Sequence, residues 1–170
     1  MRDIERGKSV KLLGVYFSDT LRFDEHIKCV LTICGQRLYL LKTLRGQGLS
    51  RGHINTVFQS LIISRLAYAI PAWGGFLRQQ QINKIDSFLA RALRFGYTLK
   101  QTTLSDILDE ADEKLYNSVQ NSKHCLHGLL PPEKKLQTGL RKTRCFQLPT
   151  YHYKMLKDSF INRVVFKDVD

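Results

Sequence analysis

The spacing of apolar positions divides the chain into segments of different period. From Val10 to Phe17 branched and aromatic residues run together, interrupted at Gly14 and closed by Ser18, Asp19 and Thr20. This predicts a strand, a bend and a second short strand. From Phe23 to Leu44 the apolar positions recur at steps of three and four through Ile27, Val30 or Leu31, Cys34, Leu38 and Leu41. That spacing predicts one long amphipathic helix, with Asp24 and Glu25 in its first turn and Lys42 and Arg45 at its end, each set matching the helix macrodipole. The stretch GQGLS stops it, and Ser50 is placed to cap a second helix whose apolar set is Ile54, Val57, Phe58, Leu61, Ile62 and Leu66. The wide apolar face makes this the most buried helix of the set.

Pro71 is expected to end that helix or to turn the chain, with Ala72 to Gly75 as a tight loop around the lone tryptophan, Trp73. A third helix is predicted from about Gln79 to Phe95, apolar through Ile82, Ile85, Phe88, Leu89, Ala92 and Leu93 and basic at Arg78, Lys84, Arg91 and Arg94. A fourth, Leu104 to Val119, begins acidic, and its carboxylates are expected on a solvated face. Past Asn121 the pattern dissolves among prolines and scattered basic residues, which predicts an extended, loosely ordered arm. Lys157 to Phe166 is expected to form a strand or a one-turn helix that packs on the helical body. The predicted class is therefore mainly α, a short N-terminal β-hairpin followed by a basic helical bundle and a C-terminal arm. The expected divisions are 1–20, 21–100, 101–122 and 123–170.

Composition sharpens this outline. The chain has 170 residues, 27 Lys plus Arg against 15 Asp plus Glu, and a net charge of +12. The excess is uneven: between Leu21 and Leu104 there are 12 basic and three acidic residues, a net of +9 in the part predicted most helical. Such a surface attracts polyphosphate, so an RNA/DNA or DNA duplex is the expected partner. No stretch is apolar for the ~18 residues of a membrane span, and Met1 to Val10 has no signal-peptide core. An intracellular protein with no membrane partner is expected. Cys29, Cys34, Cys125 and Cys145 are too irregularly spaced for a disulfide framework, and the first two fall within an apolar helical pattern.

The residues of common catalysis are not arranged for it. Asp106, Asp109, Glu110, Asp112 and Glu113 follow one another on a single helix, there is no Asp-Asp pair, and Gly74-Gly75-Phe76 lacks the Lys-Ser or Lys-Thr of a phosphate loop. His124, Cys125, His127, Cys145 and His152 do not have the short paired spacings that structural zinc prefers. No metal site, cofactor or small-molecule substrate is expected in this chain. What remains is a binding surface in which Tyr39, Tyr68 and Trp73 lie near basic positions, with Trp73 beside Pro71 read as core.

The order of these features resembles the end of the reverse transcriptase of LINE-type non-LTR retrotransposons, of the jockey-like and related animal groups. The resemblance rests on KLLGVYFSDTLRFDEHI, then RLYLLKTLRGQGLSRGHINTVFQSLIISRLAYAIPAWGGFL, then INKIDSFLARALRF, with HCLHGLLPP, GLRKTRCFQLP and SFINRVVF following. It implies that Leu13, Gly14 and Val15 form the primer grip that closes the palm. It also implies a thumb that includes the Y-x-x-P-x-W segment at Tyr68, Pro71 and Trp73. Within that thumb, helical phase selects Arg37, Lys42, Arg45, Arg65, Arg91 and Arg94 to face the template and primer backbone. The family's catalytic Asp-Asp box and its magnesium belong to a palm upstream of the primer grip. By resemblance, then, the chain is a fragment of an RNA-directed DNA polymerase, inactive alone and nuclear. The first strand would take its partner either from Val15 to Phe17 or from that palm, and apolar hairpin residues should stand exposed. The alternative is a free-standing helical module that binds nucleic acid or protein without a polymerase.

Overall fold

The computed structural model describes residues 7–132, 146–147 and 153–165. Strands β1 (Ser9–Leu12) and β2 (Val15–Ser18) pair antiparallel, with Leu12 opposite Val15 and Ser9 opposite Ser18. Only two residues, Leu13 and Gly14, connect them, and both have positive φ, 46° and 85°. Positive φ at both central positions gives a turn whose twist matches a right-twisted hairpin. It suits Gly14 and strains Leu13, since a side chain in the left-handed region costs about 1–2 kcal/mol. Tyr68 braces the turn: its hydroxyl donates to the Leu13 carbonyl at 2.8 Å, and its ring lies against Gly14. Val15 is buried and Phe17 packs on the core, whereas Val10, Leu12 and Leu13 are exposed, as anticipated for the hairpin.

Helix α1 (Asp24–Gly46) carries Ile27, Val30, Cys34 and Leu41 into the core. Ser50 caps the next helix, α2 (Arg51–Phe58), which widens into a π-helical turn at Gln59–Ile63 and continues as α3 (Ser64–Ala67). The π turn has a reading in the sequence. Ile54, Phe58, Ile62 and Leu66 are spaced by four and all essentially fully buried. An α-helix turns about 100° per residue, so a strict four-residue spacing drifts about 40° per step around its axis. A wider turn offsets that drift and keeps all four side chains on one buried line.

The helix then breaks at Tyr68 and Ala69, where Ala69 is left-handed with φ 53°, and restarts as α4 (Ile70–Trp73) followed by a 3₁₀ turn, Gly74–Phe76. Here the expectation for Pro71 needs correction. The chain turns just before it, and Pro71 itself lies in the first turn of α4, where a helix has no use for the missing N–H, while the loop expected at Ala72 to Gly75 is instead helical, running through α4 into the 3₁₀ turn. Trp73 is fully buried, as core, and its indole N–H donates to the Tyr68 carbonyl at 3.0 Å. Its ring meets His26 edge-on at 4.9 Å between centroids. Both following glycines are steric requirements. A Cβ on Gly74 would come within 2.7 Å of Leu108, and one on Gly75 would collide with Arg163 and the Asp158 carbonyl.

Helices α5 (Gln79–Arg94) and α6 (Leu104–Val119) complete the body. Leu104 and Ile107 of α6 share one continuous core with Val15 of the hairpin and with α1 to α5. On the acidic face of α6, Asp106, Asp109, Glu110 and Glu113 are exposed as expected, and one residue needs correction. Asp112 is not solvated but buried, and it accepts two hydrogen bonds at 2.8 Å from Nε and Nη2 of Arg163. Arg163 belongs to α8 (Phe160–Val165), which follows α7 (Lys154–Asp158), so these described parts of the expected arm are helical and fastened. Its guanidinium also donates to the Asp158 and Pro71 carbonyls. Nearer its start the arm forms a 3₁₀ turn at His127–Leu129, and its residues 133–145, 148–152 and 166–170 lie outside the described residues.

Two outcomes follow from this packing. Asp112→Ala leaves the Arg163 guanidinium without its carboxylate in a largely buried site, and breaking such a pair should lower unfolding free energy by about 3 kcal/mol in urea. His26 has neither ring nitrogen bonded among the described residues, and burial, aided by the Arg65 charge, holds its imidazole below the ordinary 6.5. The unfolded chain therefore takes up this proton first as pH falls. The stabilisation is full above the unfolded pKa and is lost as pH drops through it toward the lower folded value. The urea midpoint, read by Trp73 fluorescence, should fall between about pH 7 and about pH 5, and less in His26→Phe.

Candidate nucleic-acid interface

Helices α1 and α5 run parallel. Near their starts Gln81 Nε2 donates to Asp24 at 2.7 Å, and near their ends Arg45 donates to the Phe95 carbonyl. Between them lies a groove. One part, of about 440 Å³, is lined by Leu31, Gly35, Asn83, Lys84, Ser87, Phe88 and Arg91. The other, of about 480 Å³, is lined by Asp24, Ile27, Lys28, Leu31, Thr32, Gln81 and Lys84. Leu31 and Lys84 belong to both, so the groove is continuous. It is open at Gly35, where a Cβ would meet nothing within 4 Å.

Local sequence builds this surface. On α1, Lys28, Thr32, Gly35, Tyr39 and Lys42 follow at steps of four and three, and on α5 Lys84, Ser87, Arg91 and Arg94 follow at steps of three and four. Residues so spaced share a helix face. The two faces line up because the helices run parallel. From Lys84 to Arg94 the stripe covers about 15 Å of helix axis at ~1.5 Å per residue, about four base-pair steps of a duplex at ~3.4 Å each. At the far end, the Arg45 guanidinium stacks over Tyr97 at 4.8 Å and Arg94 lies 5.4 Å from the Phe95 ring centre. Gly96, at φ 73°, leaves room for Arg51, whose Nη2 would lie 3.2 Å from a Cβ there.

Two nearby carboxylates also accept hydrogen bonds at helix starts, and Asp24 does so from within the groove lining. Asp24 is bonded by Gln81, and Asp86 of α5 accepts the Leu104 N–H at 2.7 Å, where it receives the start of α6. The remaining acidic side chain of that part of the chain, Glu25, is exposed in the first turn of α1.

The structure divides the six basic residues selected by helical phase. Lys42, Arg45, Arg91 and Arg94 are exposed. Arg37 and Arg65 turn inward. Arg37 is half-buried and donates to the Leu61 carbonyl in the π turn, while Arg65 has a buried Nε with no hydrogen-bond partner. Both lie close enough to Cys34 to act on its thiol, which burial nevertheless raises to about 11. Lys28 and Lys84, which phase did not single out, line the groove, and the signal that finds them is the three-four spacing of the polar faces. Leu13 and Gly14 form the exposed hairpin tip, and Val15 anchors it in the core.

Other chemistry is sparse. Among the described residues no three His, Cys, Asp or Glu side chains gather to hold a metal. His127 donates through Nδ1 to the Val119 carbonyl at 2.9 Å, and His124 Nδ1 accepts the Leu126 N–H; Cys145 and His152 lie outside the described residues. No described helix is long and apolar enough to cross a membrane. No family model, curated protein or solved structure matches the chain.

The division of the arginines is open to measurement. Arg37→Ala removes a charged donor from a carbonyl in a partly buried site and should destabilise by about 1.5–3 kcal/mol. Arg91→Ala, on the open groove, should stay within about 0.5 kcal/mol of wild type in the same urea titration.

Proposed function

We propose that the chain grips a nucleic-acid duplex along the α1–α5 groove, as the thumb-like part of a LINE-type reverse transcriptase whose catalytic palm and magnesium lie on other sequence. The observation that carries the binding reading is the pair of parallel polar stripes, with Lys28 and Lys42 on one and Lys84, Arg91 and Arg94 on the other. Contacts of this kind go to phosphate oxygens. They set the position and register of a duplex without reading its bases. Small groove residues such as Gly35 and Ser87 let a backbone approach, and the long cationic side chains reach it from both walls.

The polymerase assignment rests on the order of the motifs, and two features of the hairpin are compatible with it. Its tip is held in shape by Tyr68 while Leu13 is 81% exposed, and the apolar side chains Val10 and Leu12 are free to meet another surface. In this reading the hairpin abuts the palm and the groove holds the template-primer duplex beyond it, in the nucleus where such elements integrate.

Salt dependence tests the binding step. With about five phosphates neutralised, log K should fall against log salt with a slope of roughly −4 to −5, since each contact contributes about −0.9. The double reversal Arg91→Glu with Arg94→Glu should weaken duplex binding and reduce that slope by about 2, without moving the urea midpoint. An affinity that stays flat from low to moderate salt would rule out this mode of binding.

A further inference from the structure

A second cavity, of about 310 Å³, lies away from the groove, between the turn that precedes α1, the 3₁₀ turn and α7. Three cations line it: Arg22, Arg78 and Lys154. Each comes from a different part of the chain, each is exposed, and among the described residues none is hydrogen-bonded to a carboxylate. Among the described residues Asp158 is the one acidic residue in the lining, so their side chains carry a formal excess of two positive charges there. The opposite character is also present, because Leu21, Phe76 and Met155 line the same space. Phe76 is fixed there by stacking on the buried Phe23, with centroids 6.1 Å apart.

The backbone that carries these side chains is held in place. Arg22 is positioned by its own backbone, whose N–H donates to Ser18 Oγ at 2.8 Å and whose carbonyl accepts the same hydroxyl at 3.0 Å. The Arg78 backbone N–H donates to Gln81 Oε1 at 2.8 Å, which fixes the start of α5 beside the cavity. Lys154 and Met155 are carried by α7, whose last carbonyl, that of Asp158, is held by Arg163. The buried Asp112–Arg163 pair thus sets the third wall.

We infer that this cavity binds a nucleoside monophosphate, the phosphate among Arg22, Arg78 and Lys154 and the base against Phe76 and Met155. Its volume is at the lower end of the range for small-ligand sites, about 300–1,000 Å³. Cations grouped around an apolar wall match an anion joined to a flat ring, and charged hydrogen bonds to phosphate are among the strongest available. The ligand could be a free nucleotide or the phosphorylated end of a strand, since both present the same group.

Calorimetric titration of the full chain with AMP, adenosine, inorganic phosphate and a 5′-phosphorylated trinucleotide tests this. AMP or the trinucleotide should bind at least about tenfold more tightly than either adenosine or phosphate, because both halves of the site contribute. The tighter of the two identifies the source as free nucleotide or strand end. Arg22→Ser with Arg78→Ser should abolish that preference while the urea midpoint holds, and Lys154→Ser alone should weaken it in the same direction. The inference is overturned if AMP and the trinucleotide bind no better than inorganic phosphate, or if binding survives in the folded double variant. The readout needs no duplex, so its failure leaves the groove reading standing, and the failure of duplex binding leaves this one standing.

Discussion

A buried indole must place its N–H on an acceptor, and the nearest solution in this chain is the carbonyl five residues earlier. The bond from Trp73 to Tyr68 spans the break between α3 and α4, and much else meets at that break. Ala69 takes a left-handed conformation, Pro71 falls in the opening turn of a new helix, and Tyr68 is left facing outward to hold the hairpin turn. The next two residues, lacking side chains, let α6 and Arg163 approach closely. Hairpin, bundle and C-terminal helices therefore meet on a single segment, Tyr68 to Phe76. The Y-x-x-P-x-W pattern is the sequence form of that junction.

The parts of the fold governed by local rules were legible in the sequence. Helix phase placed Ile27, Val30, Cys34 and Leu41 inward, Ser50 announced a helix start, and Gly14 marked the hairpin turn. What escaped was anything that depends on which neighbour a face meets. Arg37 and Arg65 lie on helix flanks that could equally face solvent, and only the position of the π turn and of His26 turns them inward. Asp112 was hidden in an acidic run, although it follows Leu108 by four and precedes Val119 by seven, within the apolar arc of α6. Arg163, in the apolar stretch FINRVV, was its counterpart. A carboxylate and a guanidinium each set in an apolar face is a pairing signal, but one that spans 51 residues of sequence.

The candidate interface shows the same division. Its stripes are written in three-four spacing on two separate helices, yet a groove exists only because α1 and α5 run parallel. Parallel neighbours require a return path, which α2, the π turn, α3 and α4 supply in the space between. The acidic residues are handled by the same architecture. Asp24 and Asp86 each help to fasten a helix start, Asp24 from within the groove lining itself.

The hairpin tip has a different implication. A leucine in the left-handed region is strained whether or not anything covers it, and its exposed side chain carries a further hydration cost of about 1.5–3 kcal/mol that disappears on contact. The two exposed apolar side chains beside it, Val10 and Leu12, sit on a strand whose outer edge has no partner among the described residues. Such an edge does not discriminate among extended chains by sequence, and in concentrated solution it acts as an adhesive. The net charge of +12 on the chain opposes such association between copies.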